Sequence, residues 1–264
     1  MGRATPKVIR IMALIAVLGL AQGCREREQL EKEAPALAKA DLRKERIAVA
    51  GVVSDAPTVG DSTASRETWA ILVGDRLSRE RFGKLPIIAV GELRAVLGRE
   101  DHNLMLDRYR ELGSCDDAVL AELHSIFEGR ARFVVFGNIL EDRIEQSQSE
   151  SEIVDEKTKK VTSRTRTMKT TRVTTVRVRF YDLTDQQLAW DHLTVGESFN
   201  SKDHDMTDFI EHNSKEGFLA GLLTSIANSA IKPDPKYPAA PDLQASLSSA
   251  FDNVGAFLKP GKKK

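Results

Sequence analysis

The chain has almost no cysteine, no surplus of charge of either sign, and no hydrophobic run long enough to cross a bilayer. Its two cysteines, Cys24 and Cys115, can make neither a disulfide framework nor a four-thiolate zinc site. The 39 basic side chains balance 39 acidic ones, so the chain as a whole exerts no electrostatic pull on nucleic acid. A mean hydropathy of −0.31 excludes a multi-span membrane protein. There is no Gly-x-x-x-x-Gly-Lys phosphate loop, no Ser/His/Asp or Cys/His order and no internal repeat. What is present is 264 residues, 41% of them hydrophobic, which suffices for one or two domains with a real core.

The amino terminus reads as an export signal. Arg3, Lys7 and Arg10 form a basic front to the uncharged, mostly apolar run Ile11–Ala21. A mature spanning helix needs roughly 20 apolar residues, and this run is too short. It ends Leu20-Ala21-Gln22-Gly23-Cys24, which resembles the lipobox of bacterial lipoproteins, where cleavage precedes a cysteine that is then acylated. Plain secretion and an uncleaved anchor are the competing readings. Arg25 rather than Asp follows the cysteine, which points to the outer membrane. Removing 1–23 leaves 36 bases against 39 acids, and acylating Cys24 leaves Cys115 without a disulfide partner. Cys115 lies in Gly-Ser-Cys-Asp-Asp, a helix stop followed by an N-cap, and reads as a structural thiol.

Residues 24–45 read as a charged tether. Ile47–Val53 predicts a buried strand and 54–65 a loop. Trp69, Ile71, Leu72 and Leu77, with Val73 and Phe82, predict an amphipathic helix over about 66–82. A short strand at Pro86–Val90 and helices ending at Leu97, Gly113 and Phe127 follow. Phe133–Leu140, apolar except at Gly137 and Asn138, suits a central strand buried on both faces. Val176, Val178 and Phe180 alternate with Arg177, Arg179 and Tyr181, as in a half-buried strand, and Gln187–Val195 returns beside it. A last helix is expected over about 205–231. Residues 232–264 then read as a Pro-rich tail holding a small amphipathic helix with Leu243, Leu247, Phe251, Val254 and Leu258.

The oddest segment is 141–176. Glu141–Glu156 holds seven acids and one base, whereas Lys157–Arg179 holds nine bases, eight threonines and no acid. Threonine and valine favour extended chain. Folding about Lys157 sets Glu150 opposite Arg164, Glu145 opposite Lys169 and Asp142 opposite Arg172. The expectation is a protruding two-stranded polar ribbon, with a disordered charged loop as its competitor. Met168 is the one large apolar side chain in Glu145–Glu152 and Thr162–Arg172, so neither strand offers a face to lipid.

Three patches resemble the CsgG/LpoB-like lipoprotein domains, with the amino-terminal domain of TolB as a more distant likeness. They are Arg46-Ile47-Ala48-Val49-Ala50, Arg130-Ala131-Arg132-Phe133-Val134-Val135-Phe136-Gly137-Asn138-Ile139, and Val176–Asp182 with Leu188-Ala189-Trp190. The resemblance spans 46–231. It implies an α/β fold, a mixed β-sheet packed with helices, and no catalysis or cofactor. Family members act as outer-membrane lipoproteins that secrete curli subunits through an oligomeric pore, activate a bifunctional penicillin-binding protein, or support surface structures.

The expected function is therefore a non-catalytic envelope lipoprotein, membrane-bound through lipidated Cys24 and facing the periplasm. It would bind a periplasmic or outer-membrane protein partner and no nucleic acid. Homo-oligomerisation stays open, and a CsgG-like secretion channel is the alternative. Glu145, Glu150, Arg164, Arg166 and Lys169 are the candidate partner-binding residues, with the surface around Trp69 and Tyr109 as a weaker candidate. A metal-dependent enzyme is the least favoured reading. It would rest on His204, Asp208 and His212, spaced by four on an assumed helix beside Glu211, where a helix amino terminus is the simpler explanation. The sequence supports no metal assignment.

Overall fold

In the computed structural model, the described residues are 34, 37, 40, 42, 44–79, 85–159, 161–206 and 236–258. The elements are β1 (Ile47–Ser54), α1 (Thr63–Leu77), β2 (Ile87–Ile88), α2 (Val90–Leu97), α3 (Arg99–Leu112), α4 (Asp117–Phe127), β3 (Phe133–Val154), β4 (Val161–Asp182), β5 (Gln187–Asp205) and α5 (Leu243–Leu258). The strands form one sheet in the order β2-β1-β3-β4-β5, with β1 parallel to both β2 and β3. This is the mixed α/β sheet packed with helices that the sequence implied. Among the described residues no helix is long and apolar enough to cross a membrane.

The chain divides into two compact units. The first holds residues 1–142, 174–196 and 247–264, and the second holds 143–173 and 197–246. In the first, every residue of β1 is buried, as a parallel strand covered on both faces requires. One face carries Ala48, Ala50, Val134, Phe136 and Tyr181 against Leu93 of α2, Leu106 and Tyr109 of α3, and Leu123 and Phe127 of α4. Tyr109 stacks on Phe136 at 4.5 Å between centroids. On the other face α1 approaches Val49 and Ile87 through Gly74, and α5 sets Phe251 against Val52 and Gly137.

The β1–β3 ladder skips Ala50: Val49 pairs with Val135 and Gly51 with Phe136. This bulge leaves the Ala50 carbonyl to accept from His102 Nε2 of α3 at 2.7 Å. A carbonyl only accepts, so Nε2 carries the proton. Gly51 then faces α3 so closely that a Cβ would lie 2.7 Å from Leu106 Cδ2.

Several expectations change. The first helix spans 63–77 rather than 66–82, because Ser62 caps it by accepting the Ser65 N–H. Val176–Tyr181 is buried throughout except for partly covered Arg177, since α3 and α4 cover the face expected to meet water. Trp69 and Tyr109 are core residues, 4% and 2% exposed, so they form no contact surface. Ala34, Leu37 and Leu42, from the stretch read as a tether, are buried. Leu247, Phe251, Val254 and Leu258, read as a tail, are buried as well. Their spacing already marked one helix face; what the sequence did not show was the surface it covers. Of the last helix expected over 205–231, Asp205 ends β5 and the residues beyond Met206 lie outside the described residues.

Candidate binding surface

The second unit is where the charged segment falls. Alternation along a strand puts residues two apart on one face. Arg164 pairs with Glu152, and Arg166 donates to Glu150 through Nε and Nη2 at 2.9 and 2.7 Å. Each two-residue step back along β3 is thus matched by a two-residue step forward along β4, as an antiparallel hairpin demands. The turn is made by Asp155, whose carboxylate accepts from the N–H groups of Thr158 and Lys157 at 2.6 and 3.0 Å. The Thr158 bonds, followed by that of Lys157, hold the Asp155 carboxyl below its ordinary range.

This register corrects the sequence expectation. The strands end at Val154 and resume at Val161, so the hairpin folds near Thr158 rather than Lys157. Glu150 therefore meets Arg166, not Arg164. Glu145 pairs with Arg143 on its own strand at 2.7 Å rather than with Lys169. Lys169 instead places Nζ 4.1 Å above the Phe199 ring of β5. Asp142 meets Thr174 at 3.1 Å in the place expected for Arg172. Arg172 donates to the Pro241 carbonyl at 2.9 Å.

The expected two-stranded ribbon has a third strand. β5 continues past Val195 to Asp205, held by Thr167 Oγ1 donating to Asp203 at 2.7 Å and by Met206 N–H donating to Arg164 O at 2.7 Å. Ser201–Asp205 is thus strand, not a helix start, and His204 stands on it. Asp208, Glu211 and His212 lie outside the described residues, as do 1–23 and Cys24. Among the described residues no group of three or more His, Cys, Asp or Glu is placed to hold a metal ion. A strap of chain runs over this sheet: Thr170 Oγ1 donates to Pro238 O at 2.7 Å and Asn200 Nδ2 to Ala239 O at 2.9 Å. Met168 and Thr170 are buried. By contrast, every side chain from Arg143 to Val154 is exposed.

The first unit holds a polar network that sequence reasoning missed. Arg66 makes a two-pronged pair with Asp61, both bonds 2.7 Å, and reaches Asp107 at 2.7 Å. Arg110 bridges Asp55 and Asp61 at 3.0 and 3.2 Å, and Asn138 donates to Asp55 at 2.6 Å. The Asp61 bond, against the cost of burial, raises the Arg66 pKa further above neutrality. The network ties the 55–62 loop to α1 and α3 beside an open groove of about 880 Å³ between Asp55 and Leu104–Leu112. Its cations are already neutralised by acids, so it serves as a latch. The cap Asp61-Ser62 with Arg66 one turn on was the local signal; Asp107 and Arg110 join only through the fold.

Cys115 is chemically quiet. Burial pushes its thiol up, and its backbone N–H donates to the Tyr181 hydroxyl at 3.0 Å. Burial likewise pushes Tyr109 up to about 12, with Arg179 opposing. A thiol held protonated is a poor nucleophile. Burial works against ionisation of Asp191, but bonds from Arg177 and Arg179 win and hold it below the usual carboxylate range.

No family model matches the chain, and no curated protein matches it. Among solved structures it is similar to the lipoprotein GNA1162 from Neisseria meningitidis, at 14% identity and a TM-score of 0.28, over 70% of this chain and 97% of that one. It is similar to the LpoB C-terminal domain from Salmonella enterica at 10% identity and a TM-score of 0.29, over 62% and 96%. A third likeness is to the hypothetical protein CT253 from Chlamydia trachomatis, at 13% identity and a TM-score of 0.30, over 81% and 98%.

Proposed function

We propose that the chain is a non-catalytic lipoprotein of the bacterial cell envelope, held in the outer membrane by acylated Cys24 and facing the periplasm, whose α/β domain binds a protein partner in envelope biogenesis or secretion. The anchor rests on the short apolar run ending Gly23-Cys24 and on Arg25 after it. The binding role rests on one observation: the strand half Arg143–Val154 exposes every side chain, yet is held in register by Glu150–Arg166 and Glu152–Arg164. It adds little to any core, so its ordering is offset by its ladder to β4 and its exposed ion pairs rather than by apolar burial. A preformed surface, by contrast, spares a partner that ordering cost.

Two measurements test this. Cys24→Ser should give an unprocessed, unacylated chain that leaves the outer-membrane fraction; unchanged mass and fractionation would overturn the anchor. Crosslinking the lipidated protein in envelopes, followed by pull-down, should recover a protein partner. Recovery of membrane lipid alone would overturn the binding role.

A further inference from the structure

Among the described residues, the outer edge of β3 in the second unit is a sheet edge. β1 pairs with β3 as far as Ile139 and ends at Ser54, whereas β3 continues to Val154 with β4 as its remaining neighbour in the strand order. The direction of its main-chain groups follows from two bonds. Arg164 O accepts from Met206 N–H, so the peptide groups of Arg164 point toward β5. Its cross-strand neighbour Glu152 therefore turns N–H and C=O away from β4. Direction alternates residue by residue, so Ile144, Gln146, Gln148 and Glu150 point the same way. Ile153 O, one residue out of step, points at β4 and accepts from Thr162 Oγ1 at 3.1 Å, as the alternation requires. The edge thus offers a row of N–H and C=O pairs about 6.8 Å apart.

We propose that this edge, Ile144–Glu152, receives an extended basic segment of a partner protein as an added strand. The charge along it selects the occupant. Glu145, Glu150 and Glu152 outnumber Arg143 on the strand. Arg166 and Arg164 each contact a single oxygen, Oε1, of their glutamates. Lysines or arginines on the incoming strand would meet the second oxygens, while main-chain bonds supply affinity irrespective of sequence. A second copy of this chain is disfavoured, because its own β3 edge carries the same excess of glutamate rather than the lysines or arginines that would complement it. This rests on the partner-binding reading above and names the chemistry of that partner.

The test uses the full chain in detergent and a labelled peptide of about twelve residues, alternating lysine and threonine, with a glutamate-for-lysine counterpart. The basic peptide should bind about tenfold or more tighter than the acidic one, and its affinity should fall as salt rises from about 0.05 to 0.5 M. Gln148→Pro removes an outward N–H without touching the β3–β4 ladder and should abolish binding. Gln148→Ala should bind as wild type. Gln148→Lys, which keeps the whole backbone, should weaken binding about tenfold. Amide protection across 161–173 in each variant keeps folding out of the answer. Equal binding of both peptides, or binding indifferent to both Gln148→Pro and Gln148→Lys, overturns the proposal. So does a homodimer that Gln148→Pro abolishes, since the occupant is then a second copy. Photocrosslinkers at Gln148 and at Ala121 in envelopes separate the two levels. A basic segment crosslinked at Gln148 supports the edge, whereas capture at Ala121 alone overturns it and leaves partner binding standing. Capture at neither overturns partner binding itself.

Discussion

His102 shows how one side chain carries a backbone irregularity. The bulge at Ala50 frees a carbonyl inside the core, and a buried acceptor without a donor costs about 1–3 kcal/mol. His102 supplies the donor at 2.7 Å and is itself buried. Burial drives its pKa below 6.5, with the Ala50 bond opposing. The sign follows. Below about pH 6.5 the unfolded chain takes up a proton that the native ring accepts only at lower pH, so stability is full above that point and falls as acid is added. His102→Gln keeps an N–H donor but does not titrate. Urea midpoints at pH 7.5 and 5 should converge for His102→Gln, while the wild type loses more on acidification. Equal losses in both proteins would mean that another group carries the acid limb. Neither the bulge nor its histidine was legible in the sequence, where Val-Ala-Gly-Val-Val reads as uninterrupted strand and His102 as an isolated residue.

At the scale of the element, the hairpin separates what local pattern determines from what pairing determines. Charge segregation correctly announced two strands of opposite sign, because opposite-charge neighbours across a ladder contribute roughly 0.2–1 kcal/mol each. The register was not legible, since Asp155 starts the turn and moves the fold point by one residue, and hence each partner by two. The length of β5 was hidden for a related reason. Ser198–Asp205 lacks strand composition, and pairing with β4 overrides that preference. The register makes a sharp prediction. Arg166→Glu should loosen the second unit, and adding Glu150→Arg should restore it, with a coupling of about 0.5–1 kcal/mol for these solvent-facing groups. Glu150→Arg combined with Arg164→Glu should restore much less. Amide exchange over 144–172 is the measurement, and added salt should shrink the coupling. Equal rescue by both pairings would contradict the register.

For the whole molecule, the question is where the core ends along the chain. The parallel strands and the helices over them were readable from apolar runs and 3.6-residue spacing, since each forms largely from its own pattern. The closing helix was readable as a helix but not as core, because what its apolar stripe covers depends on contacts more than fifty residues away in sequence. Those contacts are specific. The Phe251 ring edge stands 3.3 Å from where a Gly137 Cβ would lie, so glycine near the start of β3 leaves the room that Phe251 occupies. Thr194 Oγ1 donates to Ala250 O at 3.2 Å, and Asn253 Nδ2 donates to Val195 O at 2.9 Å, stitching α5 to β5. Arg76 of α1 reaches Asp252 at 3.4 Å. An appended tail would tolerate truncation of Phe251 almost without cost. A core ring should not: Phe251→Ala deletes a fully buried side chain and should destabilise the protein by about 3–5 kcal/mol, the range for such cavities. Exposed Leu104→Ala on α3 provides the contrast and should stay within about 0.5 kcal/mol. Urea denaturation of both variants decides the matter. A small loss for Phe251→Ala would return 243–258 to the status of a peripheral helix, whereas the larger loss places the carboxy-terminal helix inside the same cooperative unit as β1 and β3.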